Sequence, residues 1–298
     1  MLSTRMSGCL LATALYALFS APTFADVPSG TKKYDLQYKF APGEVVRWEV
    51  VHQATVKTTI DGTSQTAETV SESVKKWQVS EVSADEIFTI VHSVEYVRMK
   101  NDIQGRQPIE FDSRTGATPP AGYELVAKRV GRPLTRFRMD ASGEILDRKE
   151  LAPGRTASTQ MTMPLPEESV AIGDDWNFPY ELDIPLRSGR TKKIKMRQRF
   201  ELASVVDDIA TIKVATQILT PVNDPEIEAQ LVQRRTEGEL HFDLNKGRVI
   251  RQQIDLDRRV TGFPNESSTM RYRTRFTEKL LDEDLKAAAK PAAGTARQ

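Results

Sequence analysis

The sequence predicts a mainly β protein built as two similar lobes of curved antiparallel sheet, each a partial barrel or sandwich, with one or two short helices. Three observations lead there. Apolar and polar residues alternate with period two along much of the chain, which marks strands with one buried face. Turns rich in Asp and Gly separate these runs, as antiparallel hairpins require. One hairpin pattern also occurs twice, once in each half.

Taken in order, Tyr34, Leu36, Tyr38 and Phe40 alternate with polar residues and read as a first strand. Ala41-Pro42-Gly43-Glu44 forms a turn, after which Val46, Trp48 and Val50 resume the alternation. Asp61-Gly62 is a hairpin signal, because these residue types tolerate the left-handed turn positions. A Ser/Thr-rich strand (Thr63 to Val82) and an apolar one (Glu86 to Met99) follow. Gly105 turns the chain into Pro108–Ser113 and a Pro/Gly loop through Gly122. Tyr123 to Val130 has the spacing of a short helix, stopped by Gly131 and Pro133. Leu134 to Met139, the turn Asp140-Ala141-Ser142-Gly143, and Glu144 to Arg148 make a hairpin. Leu240 to Ile250 repeats its pattern around Asp243 and Gly247. Gly43-Glu44 before Trp48 is matched by Gly173-Asp174 before Trp176. Duplication explains both correspondences; so does the plain steric preference for Asp and Gly in turns.

The segment Met163 to Trp176, punctuated by Pro164, Pro166 and Gly173, reads as the joint between the lobes. Beyond it Thr191–Val205, Ile209–Leu219, Glu237–Leu244, Val249–Val260 and Thr269–Glu278 read as strands. Asp224 to Arg235 is ambiguous, with Pro225 at an N1-like position favouring helix. Leu280 to Lys290 reads as a short terminal helix. The resulting division is a signal peptide at 1–25, an N-terminal lobe at 26–162, a C-terminal lobe at 163–286 and a disordered tail at 287–298.

Composition narrows the function classes. Hydrophobic residues make up 39% and charged residues 28% of the 298 residues, as in an ordinary globular protein. Arg5, the apolar run Cys9 to Ser20 and the small-residue pattern ending at Ala25 form an export signal. The run is too short for a membrane span, and it follows Cys9 where a lipobox needs it in front, which disfavours a lipid anchor. Cleavage after Ala25 removes Arg5 and the only cysteine, leaving 41 basic against 41 acidic side chains. The mature chain then has no disulfide, no thiolate nucleophile and no global attraction for a polyanion. We therefore expect a periplasmic or extracellular protein with no transmembrane span and no nucleic-acid partner.

Phe111-Asp112-Ser113, Gly131 to Thr135 with the Asp140–Gly143 turn, the Leu165–Trp176 joint, and Phe242-Asp243 leading to Gly247-Arg248-Val249 together resemble a family of secreted bacterial proteins classed as a domain of unknown function. The resemblance implies an exported, β-rich protein and supplies no catalytic residues. Long meander strands with short helices are also similar, more loosely, to the periplasmic lipoprotein carriers, whose curved sheet shelters an acyl chain.

Candidate site residues come from strand parity. His52 shares a face with Val46, Trp48 and Val50, and His92 with Phe88, Ile90 and Val94. If their strands are neighbours, the imidazoles meet and bind a metal or orient a polar head group; the simpler reading is two separately hydrogen-bonded core histidines. His241 lies with Glu239 and Asp243 and should face solvent. No Gly-x-Ser-x-Gly elbow, HExxH, Walker A or Gly-x-Gly-x-x-Gly motif is present, so no catalytic residue, cofactor or metal is assigned. Asp174-Asp175 and Glu167-Glu168 fit turn and connector roles better than a glycosidase pair. Lys193, Lys195, Arg197 and Arg199, and again Arg271, Arg273 and Arg275, form basic stripes that acids on nearby strands should neutralise. The expected function is a non-catalytic envelope protein binding a hydrophobic or amphiphilic molecule, with Trp48, Val50, His52, Phe88, Ile90 and His92 lining the ligand. A structural or assembly module that pairs with envelope proteins through sheet edges is the alternative, and a hydrolase with a scattered site is third.

Overall fold

A computed structural model describes residues 32–152, 161–186, 189–263 and 265–281. The signal segment, Cys9 and the tail lie outside these residues. Fourteen strands are present among them: β1 (Lys33–Tyr34), β2 (Val45–Ile60), β3 (Thr63–Val82), β4 (Phe88–Ile103), β5 (Ile109–Asp112), β6 (Pro133–Met139), β7 (Ile145–Glu150), β8 (Val170–Ala171), β9 (Asp175–Pro185), β10 (Thr191–Val206), β11 (Ile209–Ile218), β12 (Glu237–Asp243), β13 (Arg248–Thr261) and β14 (Thr269–Leu281). Two helices accompany them, α1 (Glu124–Arg129) and α2 (Pro225–Leu231), the latter running into a 3-10 turn at Val232–Arg234.

β1 pairs with β8, and the remaining strands form one antiparallel sheet in the order β7-β6-β4-β3-β2-β14-β13-β12-β11-β10-β9, with β5 also on β4. The two halves of the chain therefore lie side by side in one sheet, and β14 returns between β2 and β13 to join them. The sheet is not closed into a barrel. Element order repeats: β2, β3, β4, α1 and the β6–β7 hairpin correspond to β9, β10, β11, α2 and the β12–β13 hairpin.

Their entrance turns repeat in hydrogen-bond detail. Gly43 donates to the Val79 carbonyl (2.9 Å) and Val79 to Glu44 (2.9 Å); Gly173 donates to Leu202 (2.8 Å) and Leu202 to Asp174 (3.0 Å). The Glu44 carboxylate accepts from Ala41 N, and that of Asp174 from Ala171 N, both at 2.9 Å. In the hairpins, Asp140 Oδ1 accepts from Ser142 N and Glu144 N (3.0 Å each), and Asp243 Oδ1 from Asn245 N (2.9 Å) and Lys246 N (2.8 Å). An isolated turn preference does not produce matched bonds to distant strands.

Three expectations change. Residues 35–40 keep alternate burial but join no sheet; only Lys33–Tyr34 pairs, and Leu36, Tyr38 and Phe40 cap the core instead. Asp175–Pro185 is a strand that Pro179 and Pro185 disguised; it is an edge strand, where a residue without an N–H is tolerated. Leu280 and Leu281 end β14 and are not helical; the rest of the expected terminal helix is outside the described residues.

Alternation gives the sheet an apolar inner face and a charged outer face. The largest core cluster draws on both halves: Trp48, Trp77, Phe88, Ile90 and Phe137 from the first, and Phe200, Leu202, Ile212 and Phe242 from the second. Full burial of each such side chain stabilises by about 1.5–3 kcal/mol. Two smaller clusters flank it. α1 and Tyr123 cover Val97, Met99 and Phe111, while Ile227 and Leu231 of α2 cover Ile184, Ile194 and Met196. Asp224 caps α2 by accepting from Glu226 N at 2.8 Å, ahead of Pro225, which resolves the ambiguous segment as a helix.

Two glycines are dictated by close backbone approach. A Cβ on Gly238 would lie 2.1 Å from the Gln253 carbonyl oxygen and 2.8 Å from Ile254 Cα, and one on Gly247 would lie 2.6 Å from Lys39 N. Backbone atoms cannot step aside, so Gly238→Ala should cost about 1–3 kcal/mol or more. Urea denaturation should show the lower midpoint with little change in slope.

Candidate functional site

The middle of the inner face is built from cross-strand rows. Register places Met99, Ser71, His52, Phe276 and Ile254 in one row across β4, β3, β2, β14 and β13. Asn101, Thr69, Ala54, Thr274 and Leu256 form the next, and Ala67, Val56 and Tyr272 continue in a third. All of these are partly exposed except Leu256, which is buried where α2 and its 3-10 extension pack on β13. The floor is made of small side chains, Ala54, Ala67, Ser71, Thr69 and Thr274. Larger ones, Met99, Tyr272 and Phe276, stand around it. We term this partly exposed strip of small side chains the trough; in the sheet it lies between the strand that α1 covers and the strand on which α2 packs, next to the main core.

That core end carries a polar network centred on the buried Glu278 carboxylate. Lys75 Nζ pairs with the Glu278 carboxylate, and Gln252 donates to the same group. The Lys75 ammonium also lies 4.4 Å from the Trp48 ring centroid and 4.9 Å from that of Trp77, where the electron-rich faces favour a cation. Glu278 is 5% exposed, and these contacts offset the cost of burying a carboxylate. Sequence parity contained the signal: Lys75 is in phase with Trp77 and Val79, and Glu278 with Phe276 and Leu280, charged residues on apolar stripes.

The six residues expected to line a ligand fall in three places. Trp48, Phe88 and Ile90 are buried in the main core. The Trp48 indole donates to the Val249 carbonyl at 2.9 Å and its ring meets Trp77 edge-on at 5.0 Å; Phe88 meets Phe40 edge-on at 5.3 Å. Val50 is at the boundary of that core. His52 belongs to the trough, tilted against Phe276 at 6.4 Å. His92 is opposite Trp77 on β3, whereas His52 is opposite Ser71 on the same strand. The two imidazoles are thus separated by six residues of β3, roughly 20 Å of strand, and do not meet. Among the described residues no group of three or more His, Cys, Asp or Glu could hold a metal ion. Trp77 Nε1 and His92 Nδ1, on register-paired residues, are both buried without a hydrogen-bond partner among the described residues.

On the outer face the basic stripes are mostly neutralised. Lys193 pairs with Glu181 (2.8 Å), Arg199 with Asp175 (3.2 Å), Arg275 with Asp255 (2.8 Å) and Arg271 with Asp257 (2.6 Å). His241 lies on this face beside Glu239 at 3.1 Å, within a groove of about 710 Å³ that also includes Arg199, Lys213, Glu237 and Arg251. Asp174 serves its turn, and Glu167 and Glu168 are exposed in the connector.

The fold and face define a single curved antiparallel sheet with a partly covered apolar side. No family model matches the chain, and no curated protein matches it. The solved structures that match include these two. One, described as lipid-protein interactions in lipovitellin, aligns with 87% of this chain at 12% identity and a TM-score of 0.45. This chain spans 27% of the length of that one. The other is a DUF1329 family protein from Desulfovibrio piger, at 11% identity and a TM-score of 0.15, covering 78% of this chain and 84% of that one. Among the described residues no helix is long and apolar enough to cross a membrane.

Two measurements check the electrostatics. Lys75→Met strands the Glu278 charge and should cost about 3–5 kcal/mol, much of it recovered when Glu278→Gln is added. Burial, with Lys75 nearby, lowers the His92 pKa from 6.5 to about 4, and burial lowers that of His52. The unfolded chain takes up protons near pH 6.5 that the folded protein resists. Stability should therefore fall as pH drops from about 6.5 towards 4. His92→Leu should flatten that part of the profile in denaturant titrations at stepped pH.

Proposed function

We propose that the protein is an exported, non-catalytic envelope protein that holds a hydrophobic or amphiphilic molecule against the trough of its inner face. One observation carries this reading: the apolar face is covered in three separate places, and the stretch between them has a floor of small side chains. An acyl chain laid along Ala54, Thr69 and Ser71 would remove partly exposed apolar surface, including Val56, Phe276 and Met99, from water. The Lys75–Glu278 pair and His52 would sit at its end, where a polar head group needs partners. Export rests on the signal-like residues 1–25.

The edge-pairing alternative has less support at β9. Pro179 and Pro185 remove backbone donors from that edge, a common defence against strand addition.

Native mass spectrometry and organic extraction of protein purified without detergent from its host envelope test the proposal. A stoichiometric lipid or other amphiphile is the expected result. Ala54→Trp fills the trough and should abolish the bound mass, while Gln53→Trp, on the opposite face, should retain it. A ligand-free wild type under conditions that preserve weak complexes, or equal retention in both variants, would count against the reading.

A further inference from the structure

We propose that the outer face carries a second site, for an oxyanion of the phosphate or sulfate class, over the ends of β2, β14 and β13. Its basis is a break in the charge pattern of the sheet. Arg271 is register-paired with Lys57 on one side and with Arg259 on the other, so three cations stand in one cross-strand row. Like charges directly opposite each other destabilise a strand pair.

Like-charged pairs occur elsewhere on this face, Arg251 opposite Lys279, Arg47 opposite Lys76 and Arg136 opposite Lys149. None of these runs on to a third Lys or Arg, and many of the other cations face carboxylates. Lys193 is opposite Asp183 and bonded to Glu181, and Arg275 is opposite Asp255 and bonded to it. In the exceptional row the nearest carboxylate, Asp257, belongs to the adjacent row, opposite Arg273. It is already engaged by Arg271, through Nε at 2.8 Å and Nη2 at 2.6 Å, and by Arg273 at 3.4 Å. Glu68 stands one row off Lys57, opposite Thr55. Neither Lys57 nor Arg259 has an ion pair among the described residues, and both are exposed. Arg258, 4.0 Å from Glu237, adds a fourth cation at the rim.

The next row supplies neutral donors. Thr59, Thr269 and Thr261 are in mutual register, with Thr59 Oγ1 2.8 Å from Ser64 Oγ. Cations and hydroxyls together line a groove of about 660 Å³. A tetrahedral oxyanion there accepts from guanidinium forks and hydroxyls and receives the Lys57 charge. Its charge offsets the mutual repulsion of the three cations. The site is on the face opposite the trough and stands independently of the inner-face reading.

The test is thermal unfolding and calorimetric titration of the purified protein with inorganic phosphate and with pyrophosphate, at ionic strength matched with chloride because exposed charges are screened. Pyrophosphate should raise the Tm of the wild type. The double variant Lys57→Gln/Arg259→Gln should have an anion-free Tm equal to or above the wild type and bind pyrophosphate ~10-fold or more weakly, as expected for lost charge-assisted hydrogen bonds. Lys193→Gln, on the same face but outside the row, should keep the response. Co-sedimentation with phosphatidylglycerol vesicles, but not phosphatidylcholine vesicles, lost in the double variant, assigns the oxyanion to a lipid head group. Pyrophosphate binding without vesicle binding assigns it to a free ion. An unshifted wild type, or the same shift in the double variant, overturns the proposal.

Discussion

One short extended segment holds the bent sheet to itself. Leu36, Tyr38 and Phe40 point the same way from residues 35–40 and enter the core contributed by both halves. The Tyr38 ring meets Phe242 edge-on at 5.7 Å, while Phe40 meets Phe88 at 5.3 Å and Trp77 at 6.1 Å. Its backbone is tied to both hairpin turns, through Tyr38 N to the Ala141 carbonyl (2.8 Å) and Lys39 N to that of Gly247 (3.0 Å). The Tyr38 hydroxyl donates to the Met163 carbonyl and accepts from Met163 N, and burial pushes its pKa above the ordinary tyrosine range. A sheet with one apolar face must cover that face, and here the covering strip is the chain leading into β2.

The trough follows from how that covering is distributed. α1 and α2 occupy equivalent places in the two halves, each in the connection to a hairpin, and each protects the strands nearest it. β14 has no counterpart in the repeat and inserts in the middle. Its inner side chains, and those of β2 and β3 beside it, lie between the two helices. The Lys75–Glu278 pair, its carboxylate buried and its ammonium partly so, marks the boundary between main core and trough. Breaking such a pair costs more than the pair contributes, so the boundary position is sharply constrained.

The outer face shows a different economy. Exposed ion pairs each contribute little to stability, yet their arrangement controls which surfaces repel and which attract. Many facing charged residues have opposite signs, as Arg275 and Asp255 or Lys195 and Glu181 do, and charged faces also protect exposed strands from unwanted pairing. The Lys57–Arg271–Arg259 row differs in setting three cations in succession across three strands.

Much of the fold was legible because strand alternation and turn chemistry are local. Asp61-Gly62, the Asp140–Gly143 turn and the runs from Thr191 to Val205 and from Thr63 to Val82 depend on residues adjacent in sequence. The same parity correctly turned His52 inward and His241 outward, and anticipated the opposed charges of β10 and β14. It failed at Asp175–Pro185, where two prolines interrupt a pattern of Trp176, Phe178, Tyr180, Leu182 and Ile184 that only an edge position tolerates. It also took Leu36, Tyr38 and Phe40 for a strand, since burial alternates whether or not a neighbour supplies hydrogen bonds. Facing direction is a local property, but position along a row depends on register between strands distant in sequence. That is why only the tertiary structure separated His52 from His92, filled the core with Trp48, Phe88 and Ile90, joined β2 to β14, and brought Lys57, Arg271 and Arg259 side by side.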